Sequence, residues 1–258
     1  MNSRRVASSA AIATLVLLPA SADAYRPFIS TDADTAAYRT IELELGFFGL
    51  QRQDGGTHGQ TPQAVFNYGF RPGFEAVGQL DLDEPPGGGA RVLDAELSVK
   101  NVLRQGVLQD KPGPSVAMES LLLLPGAAGE DQPRVGWEES LILSHKLGDF
   151  TCHWNASLGL DQTATLPLGE WGLIGEHPLV DGVRAVGELA GEAVNTLTPE
   201  NSGLLGLIWS SGWRDADFDL GVRRGLSAAA PLWSVVAGIS IPFAADGSPD
   251  SNPRRPND

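Results

Sequence analysis

The sequence predicts an all-β fold, an antiparallel up-and-down transmembrane β-barrel of about twelve strands. Three observations point there. Long runs alternate apolar and polar residues, the links between runs alternate between long and short, and aromatic residues gather at the run ends. The stretch Asp149 to Asp161, DFTCHWNASLGLD, shows the first most clearly. Phe150, Cys152, Trp154, Ala156, Leu158 and Leu160 share one parity, and Thr151, His153, Asn155, Ser157, Gly159 and Asp161 the other. Successive side chains of a strand point to opposite faces, so this strand has one apolar side and one wet side. The apolar side must leave water either against a protein core, as in a soluble sandwich, or against lipid.

Bulk properties limit the choices. At 258 residues and 42% hydrophobic content, the chain is long enough for one large β domain. Its net charge of −14 disfavours nucleic acid as a partner, because a phosphate-binding surface needs an excess of Lys and Arg. One cysteine, Cys152, excludes a disulfide-stapled scaffold.

Residues 1–24 have the form of a secretory signal peptide: Arg4 and Arg5, the apolar run AAIATLVLLPA, then small residues ending at Ala24. Cleavage there removes Arg4, Arg5 and Asp23 and takes the net charge from −14 to −15. No later run approaches the roughly 20 apolar residues of a membrane helix. Residues 25–38, YRPFISTDADTAAY, lack alternation and read as an irregular periplasmic lead-in segment.

Residues 39–243 form the expected barrel. Strands are expected over 39–52, 61–70, 73–83, 90–104, 114–125, 134–147, 149–161, 167–178, 182–194, 201–213, 216–226 and 231–243. Several exceed ten residues. Strands of soluble domains usually hold about five or six, whereas a tilted membrane crossing needs about nine to eleven. Long links such as QRQDGGTHGQTP, DEPPGGGA and GAAGEDQP alternate with tight ones such as RPG and LGD, as in outer-membrane barrels, and QGVLQDKPGP is the exception. The even strand number puts both chain ends on the short-turn side. Phe70, Phe74, Phe150, Trp213, Phe218 and Phe243 then lie at that side and Trp137, Trp171 and Trp233 near the other, in two interfacial girdles.

The last run, WSVVAGISIPF, ends on an aromatic, like the terminal strand by which outer-membrane assembly machinery recognises its clients. Residues 244–258 depart from that pattern. They are rich in Pro, Asp and Asn and read as a disordered tail.

With the apolar parity on lipid, the other parity lines a lumen. Its candidate lining residues are Glu75, Asp81, Glu96, Lys100, Glu119, Arg184, Glu188, Glu192, Asp217, Asp219 and Arg223. A slip of one residue would turn these charges to lipid, where a basic side chain at mid-bilayer costs about 2–4 kcal/mol, so the register is strongly fixed. Leu121, Leu123, Leu204 and Ile208 make two strands less polar inside, an apolar lumen patch.

Signals of enzymatic chemistry are weak, and no enzyme, cofactor or metal site is expected. Cys152 and His153 are strand neighbours and face opposite ways. The sequence has no H-E-x-x-H, C-x-x-C or G-x-S-x-G. Gly87 to Gly89 lead into a strand, whereas phosphate-binding glycines lead into a helix.

The phrases YRPFISTDADTA, IELELGFFGLQR, FNYGFRPGFEAVGQL and LSVKNVLRQGVLQDKPGPSVAMESLLLLP resemble a family of bacterial outer-membrane β-barrels labelled putative MetA-pathway of phenol degradation. The resemblance implies a passive, transporter-like protein connected with uptake of aromatic or hydrophobic compounds, and it carries no catalytic residues. The expectation is thus a passive channel for small solutes in the outer membrane of a Gram-negative bacterium. Its partners would be outer-membrane lipid, the assembly machinery and a small solute of unknown identity. Two alternatives stay open: a soluble periplasmic β-sandwich or barrel that binds a ligand, and a closed barrel with a structural or surface role, its carboxylates paired with Lys100, Arg184 and Arg223.

Overall fold

The computed structural model describes residues 26–53, 56–60, 63–83, 91–125, 134–162, 166–194 and 198–244. The segment 1–24 expected to be a signal peptide and the expected disordered tail 244–258, apart from Ala244, lie outside these residues. Thirteen strands run in chain order: β1 (Thr40–Gln53), β2 (Gly56–Gln60), β3 (Gln63–Arg71), β4 (Phe74–Asp83), β5 (Arg91–Arg104), β6 (Ser115–Leu124), β7 (Gly136–Leu147), β8 (Phe150–Leu160), β9 (Pro167–Val180), β10 (Val183–Val194), β11 (Glu200–Ser210), β12 (Asp217–Gly225) and β13 (Trp233–Ala244). Every pairing is antiparallel, and β13 returns to β1, Thr40 opposite Ala244 and Arg52 opposite Trp233. The ladder therefore closes on itself through β13 and β1.

The barrel has twelve staves. β2 pairs only with the far end of β1, Gly49–Gln53, and β3 pairs with its near part, Ile41–Gly46. The first long link expected at 51–62 is thus largely strand: β1 continues through Gln53 and the chain returns at once as β2. Alternation in QRQDGGTHGQ is masked by its glycines, which is why sequence pattern reads it as loop. Among the described residues the one helical piece is a 3-10 turn, Val107–Gln109, in the link between β5 and β6.

Burial settles which face is which. Leu205 is 76% exposed and Leu158 73%, and Leu97, Leu122, Leu141, Leu189 and Leu220 are exposed on other strands, while Glu75, Glu96, Glu119, Glu138 and Glu188 are buried. In a closed single wall the buried face is the inside. Apolar side chains cover the outside and carboxylates the inside, the inverse of a water-soluble protein, and the pattern that lipid requires. At the short-turn end Phe70 packs against Phe74 with centroids 6.0 Å apart, and Trp209 stacks on Phe218 at 5.4 Å. Trp137 and Trp171 are exposed near the other end. Cys152, on the outer parity, is nonetheless buried. It pairs across the ladder with Gly175, and the Phe150 ring lies over that glycine.

Candidate functional site: the lumen and its strap

Residues 26–37 do not hang free of the barrel. They run as a strap through the lumen. A strap without secondary structure has backbone N–H groups that need acceptors wherever it is buried, and the inward parity supplies them around the wall. Arg26 N–H donates to Glu44 of β1 (3.3 Å), Ile29 N–H and Ser30 N–H both donate to Glu188 of β10 (3.2 and 2.8 Å), and Ala36 N–H donates to Glu75 of β4 (2.5 Å). Thr31 N–H donates to Asn155 Oδ1 of β8 (3.1 Å), whose Nδ2 donates back to Thr31 O (2.7 Å). Ala33 N–H donates to Ser144 Oγ of β7 (2.9 Å). A carboxylate needs donors as much as a buried N–H needs an acceptor, so strap and wall satisfy each other.

Side chains add to this clamp. The Arg26 guanidinium spans both oxygens of Asp219, at 3.1 and 3.3 Å, in the bidentate geometry that suits a carboxylate. Lys100 Nζ donates to Thr31 Oγ1 (3.0 Å) and lies 3.9 Å from Asp32 and 3.8 Å from Glu75. Phe28 enters an apolar pocket of Ile174, Val186, Leu204 and Ile208. Half of the apolar lumen patch expected from sequence is therefore covered by the chain's own phenyl ring. Leu121 and Leu123, the other half, pack with Leu168 on the long-loop side of the strap.

Glycines in the wall make room for the strap. A Cβ at Gly172 would coincide with Ser30 Oγ, and Cβ atoms at Gly46 and Gly238 would run into the Arg26 guanidinium. Here glycine serves close approach, not a special backbone angle. The long β5–β6 link also has its reason. Gln109, at the end of its 3-10 turn, donates to Ala33 O (3.0 Å) and Asp34 Oδ1 (2.9 Å), so the one link that broke the short-turn rule holds the strap. Burial inside the lumen, with Asp32 as neighbour, holds the Asp34 carboxyl above the usual carboxylate range.

The eleven residues expected to line the lumen all lie on inward-facing positions. The structure divides them between the strap and the open wall. Glu75, Lys100, Glu188 and Asp219 touch the strap. Arg223 pairs with Glu188, and Arg184 pairs with Asp217 (3.1 Å) and Glu176 (2.8 Å). Glu119 accepts from Ser98 Oγ. Asp81 accepts from Gln79 (3.2 Å), and Glu96 and Glu192 stand nearer the long-loop end, Glu192 directly across the ladder from Glu170 and Glu200. Sequence reasoning places Asn155 on the wet parity without its partner, and it missed Ser144 and Gly172, because single neutral residues on a lumen parity carry no further signal until their partner is known.

His153 belongs to the strap network as well. Ser144 Oγ and His153 Nδ1 are 2.7 Å apart, and His153 Nε2 is 3.2 Å from Glu176 Oε1. Ser, His and Glu in a hydrogen-bonded row suggest a nucleophile. However, Ser144 is fully buried and its oxygen already accepts from Ala33 N–H, so the row ends on the strap.

Between the strap and the short-turn rim lies a cavity of about 630 Å3, which reaches Thr40, Lys146 and Pro242. Among the described residues no group of three or more His, Cys, Asp or Glu is arranged to hold a metal ion.

No family model matches the chain, and no curated protein matches it. Solved structures do match in fold. A NanC porin superimposes with a TM-score of 0.56 at 8% identity, over 78% of this chain and 98% of the porin. An outer-membrane channel from Pseudomonas putida F1 superimposes with a TM-score of 0.56 at 11% identity, over 83% of this chain and 99% of that one. At such identities the likeness is one of fold: this chain has the closed barrel of outer-membrane proteins. The narrower phenol-degradation label suggested by short sequence phrases has no matching family model behind it.

Proposed function

We propose that the protein is a passive outer-membrane channel for small solutes. The inverted wall carries this reading: a closed barrel with exposed leucines outside and carboxylates, serines and amides inside has a hydrophilic lumen with no use except to hold water, a strap or a solute. Outer-membrane lipid would meet the leucine band, and the assembly machinery would meet β13, the strand that closes the barrel on β1. The finer reading, passage of aromatic or hydrophobic compounds, is supported by Leu121, Leu123 and Leu168, an apolar patch on the lumen wall beyond the strap. Within this reading the Ser144–His153–Glu176 row is a structural clamp.

The strap favours one competing reading, a barrel closed by its own N-terminal segment. Conductance separates the two. Purified full-length protein in planar bilayers should give discrete single-channel steps, and liposomes containing it should swell in isotonic solutions of small sugars. A silent bilayer together with liposomes impermeable to sugars would leave the closed barrel as the better account. Fractionation addresses the setting: the mature protein should sediment with outer membranes and resist carbonate extraction, and full recovery in a detergent-free periplasmic extract would refute the membrane reading.

A further inference from the structure

We infer that the outer wall of the barrel carries a binding site for the phosphate headgroup of an outer-leaflet glycolipid, formed by Arg52 of β1 and Arg224 of β12 on either side of Trp233. The inference rests on the membrane-barrel reading, and no lumen residue enters it.

The ladder builds the site. Trp233, the first residue of β13, lies opposite Arg52 on one side and opposite Arg224 on the other. The three share the outward parity, Arg52 with Leu50, Arg224 with Leu220 and Val222, and Trp233 with Val235. Both arginines are exposed, while Gln51 and Ser234 beside them are buried on the lumen side. Directly opposed residues have Cβ atoms about 4.5–5.5 Å apart, so the two arginines stand about 10 Å apart across the indole, and both can reach one phosphate group. Leu232 holds them in place. Its N–H donates to Arg52 O (2.9 Å), and its carbonyl accepts from Arg224 Nη1 (2.9 Å). That bond engages one of the guanidinium's several N–H donors and aims the planar fork.

Height decides which part of a lipid the arginines meet. On β13 the outward residues run from Phe243 at the short-turn end through Ile241, Ile239, Ala237 and Val235 to Trp233. At about 3.4 Å per residue on a strand tilted by about 40°, this run rises about 26 Å, close to the apolar band of about 25 Å in outer-membrane barrels. Trp233 therefore lies at the membrane interface, where indoles are favoured, and the arginines lie at headgroup level beside it. Long loops face the cell exterior, so the leaflet is the outer one.

Charge selects the headgroup. The chain has a net charge of −14, yet no carboxylate stands on the outward parity of β11, β12, β13 or β1. An anionic headgroup meets two guanidinium groups there, whose forks match phosphate oxygens in pairs. A phosphate held by both would bridge β12 to β1 across β13, the strand that closes the barrel.

Native mass spectrometry of the detergent-solubilised full-length protein, titrated with bisphosphorylated lipid A, tests the site. Saturable binding is expected. The double variant Arg52→Gln with Arg224→Gln should weaken it about tenfold or more, as two basic groups are lost from a charged membrane surface. Lys111→Gln with Arg214→Gln removes the same charge from exposed positions at the opposite rim and should leave binding unchanged. Lipid A stripped of its phosphates should bind the unaltered protein no better than it binds the Arg52–Arg224 variant. Equal binding of intact lipid A by the two double variants, or undiminished binding of the phosphate-free lipid, would overturn the proposal. Displacement of the lipid by an equal concentration of inorganic phosphate would also overturn it, making this a site for free anions. None of these results touches the channel reading, which falls instead to a silent bilayer or to recovery of the protein in a detergent-free periplasmic extract.

Discussion

On the strap side of the lumen, Asp219, Glu75, Asp217 and Glu176 each face a guanidinium or ammonium, and Glu44 and Glu188 face strap N–H groups. Toward the long loops the carboxylates face one another: Glu170 lies across the ladder from Glu192, and Glu192 from Glu200, while Glu138 is held by the hydroxyl of Ser140. Like charges placed directly opposite are destabilising in a sheet. The two halves therefore use carboxylates for different ends. One half uses them as acceptors that fix a peptide segment, and in the other they stand across the ladder from one another.

The largest test of that contrast is to remove the strap. Deleting residues 26–36, with residues 1–25 kept, should leave the wall closed, because β1 begins at Thr40 and its ladders to β13 and β3 do not use the strap. Single-channel conductance should rise several-fold, and cation preference should increase as Glu44, Glu75, Glu188 and Asp219 lose their donors. Unchanged conductance in a correctly assembled deletion variant would mean that the strap does not obstruct the path.

A second test compares inside with outside at one strand. Leu158 is 73% exposed on the lipid face of β8, and Arg there should impair assembly by about 2–4 kcal/mol. Asn155→Arg points inward and should spare assembly in membranes. Yet Asn155 exchanges two hydrogen bonds with Thr31, so this variant should release the strap and raise conductance. Equal assembly yields for the two variants would contradict the assignment of faces.

Much of this was legible from the residues. Alternation at Phe150–Leu160 fixes the strand and its faces, and the closing pair β13–β1 follows from the even count. The first hairpin was hidden by glycines, and the strap was hidden for a different reason. YRPFISTDADTAAY has no period, and its function depends on acceptors contributed by β1, β3, β4, β7, β8, β10 and β12, most of them distant in sequence. Its one local mark is bulk: between Phe28 and Tyr38 it is composed mainly of Ser, Thr, Ala and Asp, side chains small enough to pass through a lumen already lined by glutamates. The long β5–β6 link was legible as an exception, and its purpose appears only once Gln109 is seen on the strap.

A subtler perturbation of the strap uses Gly172. Adding a side chain there, as in Gly172→Val, occupies the place of Ser30 Oγ without touching any carboxylate. The strap should be displaced locally around Ser30, with conductance rising less than in the deletion and cleavage beside Asp32 and Asp34 by an aspartate-specific endoproteinase becoming faster in the intact barrel. Cleavage as slow as in the unaltered protein would show that the wall yields instead of the strap.

The smallest expected effect concerns the field on the long-loop side. A water-filled passage lined by fixed carboxylates concentrates cations, and the effect fades as salt shortens the Debye length to about 3 Å at 1 M. The channel should therefore favour cations at low salt and lose much of that preference at high salt. Glu170→Gln with Glu192→Gln removes a facing pair that holds no strap contact, so reversal potentials should shift toward zero selectivity while conductance changes little. Neutralising Glu188 is not an equivalent experiment, because Glu188 accepts from Ile29 and Ser30 and pairs with Arg223. Its loss should loosen the strap and raise conductance, with selectivity altered only as a consequence. If the Glu188 and Glu170–Glu192 variants instead shift selectivity alike with no change in conductance, the lumen is one uniform acidic tube and the division into two halves fails.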